Sequence, residues 1–160
     1  MLTEILTPTH CASCKLCCNF HRSSAWETPA LDAELIYLLQ EDGVPLEKRA
    51  DGSTSFYLHF CTDSEDEVAN CPMLDTKSGC ILPREMRPFE CRIWPLRLMR
   101  KSGRLIIGLY QGCPSLTDER KERLVHFATG ELLPRMLEHA KRYPHSVREY
   151  DEGYSVIWTE

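Results

Sequence analysis

The chain has 160 residues, 42% of them hydrophobic and 27% charged, with a formal net charge of −5. That length and balance suit one compact domain with a buried core, and the negative sum argues against general nucleic-acid binding, which needs a basic face. No run reaches the ~18 apolar residues of a membrane span, and the start Met1-Leu-Thr-Glu-Ile-Leu-Thr-Pro lacks the cationic opening of a secretory signal. The expectation is a cytoplasmic protein with neither membrane nor nucleic acid as partner, whose thiols stay reduced.

Residues 1–27 show little hydrophobic periodicity and hold four closely spaced cysteines. A helix opens at Thr28-Pro29 or at Asp32, carries Leu35, Ile36, Leu38 and Leu39 as its apolar stripe, and stops before Gly43. Ser53–Phe60 reads as a strand, with Phe56, Leu58 and Phe60 alternating against Tyr57 and His59. The acidic run Asp63–Glu67 reads as a solvated loop. Between Cys71 and Cys91, Pro72, Gly79, Pro83 and Pro88 prevent a long regular element.

Ile93–Arg100 and Leu105–Tyr110 then read as two strands joined by a turn at Lys101-Ser-Gly-Arg104, with Pro95 making the first an edge strand or a late starter. From about Thr117 to Arg142, apolar residues recur at helical spacing, and Gly130 and Pro134 divide the stretch into two helices. Tyr154–Trp158 reads as a final strand. The pattern predicts a small single α+β domain spanning 1–160, organised around a cysteine-ligated metal site in about residues 10–115, with a helical C-terminal part over about 116–160.

The cysteines carry the chemistry. There are nine, and eight read as a ligand set: Cys11, Cys14, Cys17 and Cys18, then Cys71, Cys80, Cys91 and Cys113. A C-x-x-C step lets two sulfurs converge because the short loop turns back, repeating it adds a third, and a distant cysteine completes a tetrahedral or cubane site. Adjacent cysteines project differently in extended backbone, so Cys17 and Cys18 are expected to divide their roles. An odd count fits poorly with a complete disulfide framework. Cys71-Pro72 and Cys113-Pro114 are similar to the Cys-Pro ending of the ferredoxin run, where proline removes an N–H and turns the chain away from the cluster. Cys61, after the strand of alternating apolar residues, reads as a core or free thiol. His10 and His21 flank the first cluster as weaker ligand candidates. No phosphate loop, nucleophile elbow or EF-hand is present, so no catalytic residues are assigned.

Residues 84–104 carry Arg84, Arg87, Arg92, Arg97, Arg100, Lys101 and Arg104 against Glu85 and Glu90, a local charge of +5 in a chain otherwise at −10. Guanidinium groups there would offset the charge of about −2 on a tetra-thiolate zinc site or an oxidised 4Fe–4S cluster.

Three stretches carry a family resemblance: Cys11-x-x-Cys14-x-x-Cys17-Cys18, Cys71-Pro-Met-Leu74, and Cys80-Ile-Leu-x-x-x-Met-Arg87-Pro88-x-x-Cys91-Arg92-x-Trp94-Pro95. Together they resemble the YkgJ-type cysteine-cluster family, described as zinc- or iron-chelating, with eight characteristic cysteines. Where that family has a tyrosine shortly after the cysteine matched by Cys80, this chain has Ile81-Leu82-Pro83. The resemblance implies that the eight cysteines are metal ligands and places Arg87 and Arg92 beside the site as cofactor-binding residues. A similar module in flagellin lysine N-methylases is associated with an iron–sulfur cluster; their methylase activity is not carried over. The expected cofactor is an iron–sulfur cluster of the 4Fe–4S type used in electron transfer or as a redox accessory. The alternative is structural zinc in a partner-interaction module. In either case the expected partner is another protein.

Overall fold

The computed structural model describes residues 2, 5, 6 and 14–160. The protein is α+β, and its described residues fall into two compact units, one of residues 14–92 and one of residues 93–160 together with Leu2, Ile5 and Leu6. Each unit has its own sheet elements. No helix among the described residues is long and apolar enough to cross a membrane.

The first unit begins with a 3-10 turn, Leu16–Cys18, entered through Lys15 in the left-handed region at φ 56°. Strand β1 (Asn19–His21) follows, then a 3-10 segment over Arg22–Glu27. Helix α1 (Ala33–Glu41) starts at the later of the two sequence-derived positions, because the Asp32 side chain caps it by accepting from the Leu35 amide at 2.9 Å. Leu35 and Leu39 are its buried residues, whereas Leu38 of the same stripe stays 39% exposed. The helix gives way at Gly43, whose φ of 70° suits glycine.

Strands β2 (Leu46–Lys48) and β3 (Thr54–Phe56) form an antiparallel hairpin. The strand expected over 53–60 is therefore only three residues long. Its alternation of burial nevertheless continues past the ladder, with Phe56 and Leu58 buried and Tyr57 exposed. Beyond Phe56 the ladder ends, and the Tyr57 amide turns to the Pro45 carbonyl at 3.0 Å. Arg49 reaches from this hairpin to the Thr28 carbonyl at 2.7 Å and the Ser55 hydroxyl at 3.0 Å, so the buried polar groups of Thr28 and Ser55 are satisfied.

Strand β4 (Val68–Asn70) pairs antiparallel with β1, and strands β5 (Leu74–Asp75) and β6 (Gly79–Cys80) form a tight hairpin. Helix α2 (Phe89–Ile93) closes the unit. Its core gathers Phe20, Leu31, Leu35, Phe56, Leu58 and Met73, with Cys71 among them. Burial of large apolar side chains at about 1.5–3 kcal/mol each drives this collapse.

The second unit is built on strands β7 (Leu96–Lys101) and β8 (Arg104–Tyr110), a hairpin whose two-residue turn places Ser102 at φ 51° and Gly103 at φ 80°. Two positive φ values are what a type I′ turn requires. Ile93, expected in the first strand, ends α2 instead, and β7 starts only after Pro95, which has no N–H for a ladder. Helices α3 (Asp118–Thr129) and α4 (Leu133–Arg142) follow, separated at Gly130, with Pro134 in the first turn of α4. Thr117 caps α3, its hydroxyl oxygen accepting from the Arg120 amide. Strands β9 (Arg148–Glu149) and β10 (Tyr154–Thr159) complete a four-stranded sheet in the order β10-β8-β7-β9, antiparallel except for the short β7–β9 pairing. Helix α3 packs on α4 and on β10.

Gly108 sits at a close approach in this sheet. A Cβ there would stand 3.0 Å from both the Met99 sulfur and the Tyr154 Cβ. The thioether can yield, but the tyrosine Cβ is fixed by its strand. Gly108→Val is therefore expected to lower stability by about 1–3 kcal/mol, the range for overpacking a filled core, read as a lower denaturant midpoint at unchanged slope.

Candidate metal centre

The site is assembled by backbone pairing before any sulfur is considered. The β1–β4 register pairs Asn19 with Asn70 and Phe20 with Ala69. One step further along this ladder stand Cys18 and Cys71, and the Cys71 amide donates to the Cys18 carbonyl at 2.8 Å. The chain then turns at once, with the Leu74 amide on the Cys71 carbonyl at 2.9 Å, into the β5–β6 hairpin, where Cys80 faces Leu74.

Asp75 shapes that hairpin. Its Oδ1 accepts from the Ser78 hydroxyl and amide, both at 2.7 Å, and from the Lys77 amide at 2.9 Å. These bonds, the Ser78 hydroxyl first, hold its carboxyl below the usual range. Lys15 closes the arrangement by donating to the Thr76 carbonyl, which ties the start of the Leu16–Cys18 turn to the hairpin tip.

Cys91 arrives on α2. Two groups fix this part of the chain. Arg87 donates from Nε to the Leu82 carbonyl at 3.0 Å and from Nη2 to the Cys80 carbonyl at 3.2 Å, so one planar guanidinium clamps the loop after Cys80 by its backbone. Glu90, buried beside Cys91, accepts from the Ala30 amide at 3.0 Å and anchors α2 to the chain before α1. Sequence patterning passed over Glu90; a carboxylate between Phe89 and a cysteine had no signal of burial beyond its apolar neighbour.

Cys17 and Cys18 lie with their sulfurs 4.0 Å apart. The expectation that they diverge rested on extended backbone; both instead sit in a 3-10 turn, where adjacent side chains can lean together. Two thiolates on one tetrahedral zinc, with bonds of about 2.3 Å, stand about 3.8 Å apart. Their thiols also interact with the others. The bond to Cys18, followed by burial, pushes the Cys17 thiol well up, while Arg87 pulls it the other way. Burial pushes Cys71 up to about 12, with smaller contributions from Cys80 and Cys17. Burial first, then Cys17, Cys71, Glu90 and Cys80, raises Cys91. Cys91 is nevertheless an exposed residue.

The structure thus brings Cys17, Cys18, Cys71, Cys80 and Cys91 into one neighbourhood. Cys14, Cys17, Cys18, Cys61, Cys71, Cys80 and Cys91 are free thiols. Among the described residues, no three His, Cys, Asp or Glu side chains are arranged as they stand to hold an ion. Cys14 is half-buried just ahead of the turn. Cys11 and His10 lie outside the described residues. Cys113 is buried in the second unit, where its carbonyl accepts from Leu116. His21 points its Nδ1 to the Asp66 carbonyl at 3.2 Å, and Arg92 lies against the Phe89 ring, its guanidinium 5.9 Å from the centroid.

Cys61, read as a core or free thiol, is a free thiol and is exposed. It belongs to a loop held by Glu67, which accepts from the Cys61 amide at 2.5 Å and from the Thr62 amide and hydroxyl, both at 2.7 Å. Arg22 pairs with Glu67 at 3.7 Å and stacks 4.6 Å over Phe60. The Thr62 hydroxyl, then the backbone amides and Arg22, pull the Glu67 carboxyl down to about 2.

Two outcomes are expected. Arg87→Lys keeps the charge but loses the fork, and should lower metal occupancy, whereas Arg100→Lys should not; equal, negligible effects in metal analysis would remove the clamp assignment. For Glu67, a folded pKa below the unfolded value means its stabilisation is complete above about pH 4.5 and is lost as pH falls toward about 2. The stability difference between the wild-type protein and Glu67→Gln should therefore shrink over that window, measured by urea unfolding at stepped pH.

Comparison with family models, with characterised proteins and with solved structures finds no match.

Proposed function

We propose that the protein is a metal-binding protein whose cysteines hold an iron–sulfur cluster, and that it acts in electron transfer or as a redox accessory. The observation that supports this reading is the convergence of five thiols from separate stretches of chain: Cys17 and Cys18, Cys71, Cys80 and Cys91. Core packing alone gives no reason to crowd sulfurs together. Burial and the neighbouring thiols push Cys17, Cys71 and Cys91 above the ordinary thiol range, and a cation is what makes such thiols thiolates. Soft sulfur donors suit both iron–sulfur clusters and zinc.

The resemblance to the eight-cysteine family adds Cys11, Cys14 and Cys113 to the set. A bound cluster would supply one-electron chemistry. The residues themselves would hold it, limit water and offset its charge, with Arg87 fixing the Cys80 loop and Arg92 adding positive charge beside Cys91. A second reading, structural zinc in a partner-interaction module, is favoured by the 4.0 Å spacing of Cys17 and Cys18. That spacing matches an edge of a single tetrahedral ion better than two corners of a cubane, whose thiolates sit on different irons.

Anaerobic purification, metal and sulfide analysis and a visible spectrum separate these. Iron with acid-labile sulfide and a visible absorption that bleaches on reduction is the expected result. Stoichiometric zinc in a colourless protein selects the second reading, and a protein that takes up neither metal overturns both. Metal removal should also loosen the unit ending at Arg92, whose short strands meet around the cysteines, while α3 and α4 persist. A protease pattern and melting temperature unchanged by chelation would contradict that coupling.

A further inference from the structure

A recess of about 280 Å³ in the first unit lies between α1 and the segment leading into α2. Five charged side chains line it: Asp32, Glu34 and Glu85 with negative charge, Arg87 and Arg92 with positive. Its apolar wall is made by Leu35, Leu38 and Met86. Opposite charges around one small cavity ordinarily close into salt bridges. Here, among the described residues, none of the three carboxylates is ion-paired with either guanidinium.

The three carboxylates are exposed, so water can serve them in place of a guanidinium. Asp32 is held at the head of α1, where one of its oxygens caps the Leu35 amide. Arg87 is held by the Leu82 and Cys80 carbonyls through Nε and Nη2. Arg92 has a buried Nε with no acceptor among the described residues. That atom exposes no surface to the recess, so a ligand there would meet the rest of the Arg92 side chain. The cavity therefore presents unspent charge of both signs beside an apolar wall.

We propose that this recess binds a free α-amino acid with an apolar side chain. Its carboxylate faces Arg92 with Arg87 alongside, its ammonium faces Glu85, Glu34 and Asp32, and its side chain lies on Leu35, Leu38 and Met86. The volume agrees: at about 30 Å³ per water-sized group, the recess has room for roughly nine such groups, the size of leucine or methionine. An anion alone would meet three carboxylates, and a cation alone would meet two guanidiniums. A zwitterion satisfies both sets. The proposal is independent of which metal the cysteines hold.

The test is calorimetric titration of the full-length protein, as isolated with its metal, with L-leucine and L-methionine. N-acetyl-leucine, which lacks the ammonium, and leucinamide, which lacks the carboxylate, serve as comparisons. Saturable binding of the free amino acids, weakened at least tenfold by blocking either charge, is the expected result. Arg92→Gln and Glu85→Gln should each weaken binding at least tenfold. Arg100→Gln should not, since that guanidinium serves the Gly103 carbonyl in the second unit. Glu85 is exposed on a 3-10 turn, so its variant remains informative if Arg92→Gln fails to fold. Metal content measured in each variant separates a lost ligand site from a lost metal centre. No saturable binding of either amino acid, or equal affinity for the blocked analogues, overturns the proposal. So does binding confined to peptides with neighbouring lysine and glutamate, which would assign the recess to a protein partner.

Discussion

The hydrogen bond from the Cys71 amide to the Cys18 carbonyl is the joint on which the cysteine unit depends. It is the last rung of the β1–β4 ladder, and every nearer feature follows from it. The Leu16–Cys18 turn can only lie where the ladder delivers it, and the β5–β6 hairpin starts immediately beyond. The bond itself contributes only about 0.5–1.5 kcal/mol. Its importance is geometric, because it fixes register between two stretches far apart in sequence. Lys15 on the Thr76 carbonyl and Arg87 on the Cys80 and Leu82 carbonyls then lock the same neighbourhood from two further sides.

Around this joint the polar groups divide into two kinds. Some complete the backbone's own hydrogen bonding: Asp32, Asp75, Glu67 and Glu90 each take amides that would otherwise lack an acceptor. Others are left in tension with their surroundings. The thiols of Cys17, Cys71 and Cys91 are pushed toward neutrality by burial and by one another, and charges of both signs stand apart around the recess beside α1. The first kind accounts for the fold. The second kind is where ligand chemistry is to be sought: buried thiols without a partner cost stability, while the exposed carboxylates of the recess are hydrated and open to a ligand.

Local periodicity and turn chemistry made much of this legible. Asp32, Gly130 and Pro134 marked helix ends because capping and helix breaking are properties of single residues. The β7–β8 turn was readable because Ser-Gly supports two positive φ values. The strand over 53–60 was overextended because alternation reports burial, and burial continued after hydrogen bonding had turned to Pro45. Of the two readings for Cys61, core or free thiol, the free thiol holds, and it is exposed because the alternation of burial does not reach it. The cysteine spacing pointed to a shared site, but the pairing of β1 with β4, three residues from each side, has no periodic signature long enough to read. The closeness of Cys17 and Cys18 was also out of reach, since it depends on a 3-10 turn entered through a left-handed Lys15. Glu90 and the α1 recess arise from tertiary meeting alone.

The two-residue period of a strand gives the β1–β4 ladder a further meaning. Between Cys18 and Cys71 the chain makes a long excursion through a helix, a hairpin and an exposed loop. Residues can be inserted into or removed from the surface turns of that excursion, at 50–53 or 62–66, at little entropic cost. Within Asn19–His21 or Val68–Asn70 the same change shifts the register by one, sends Phe20 and Ala69 to the opposite face, and carries Cys18 away from Cys71. Related sequences should therefore vary in length between these cysteines while keeping the three residues next to each one without gap or insertion.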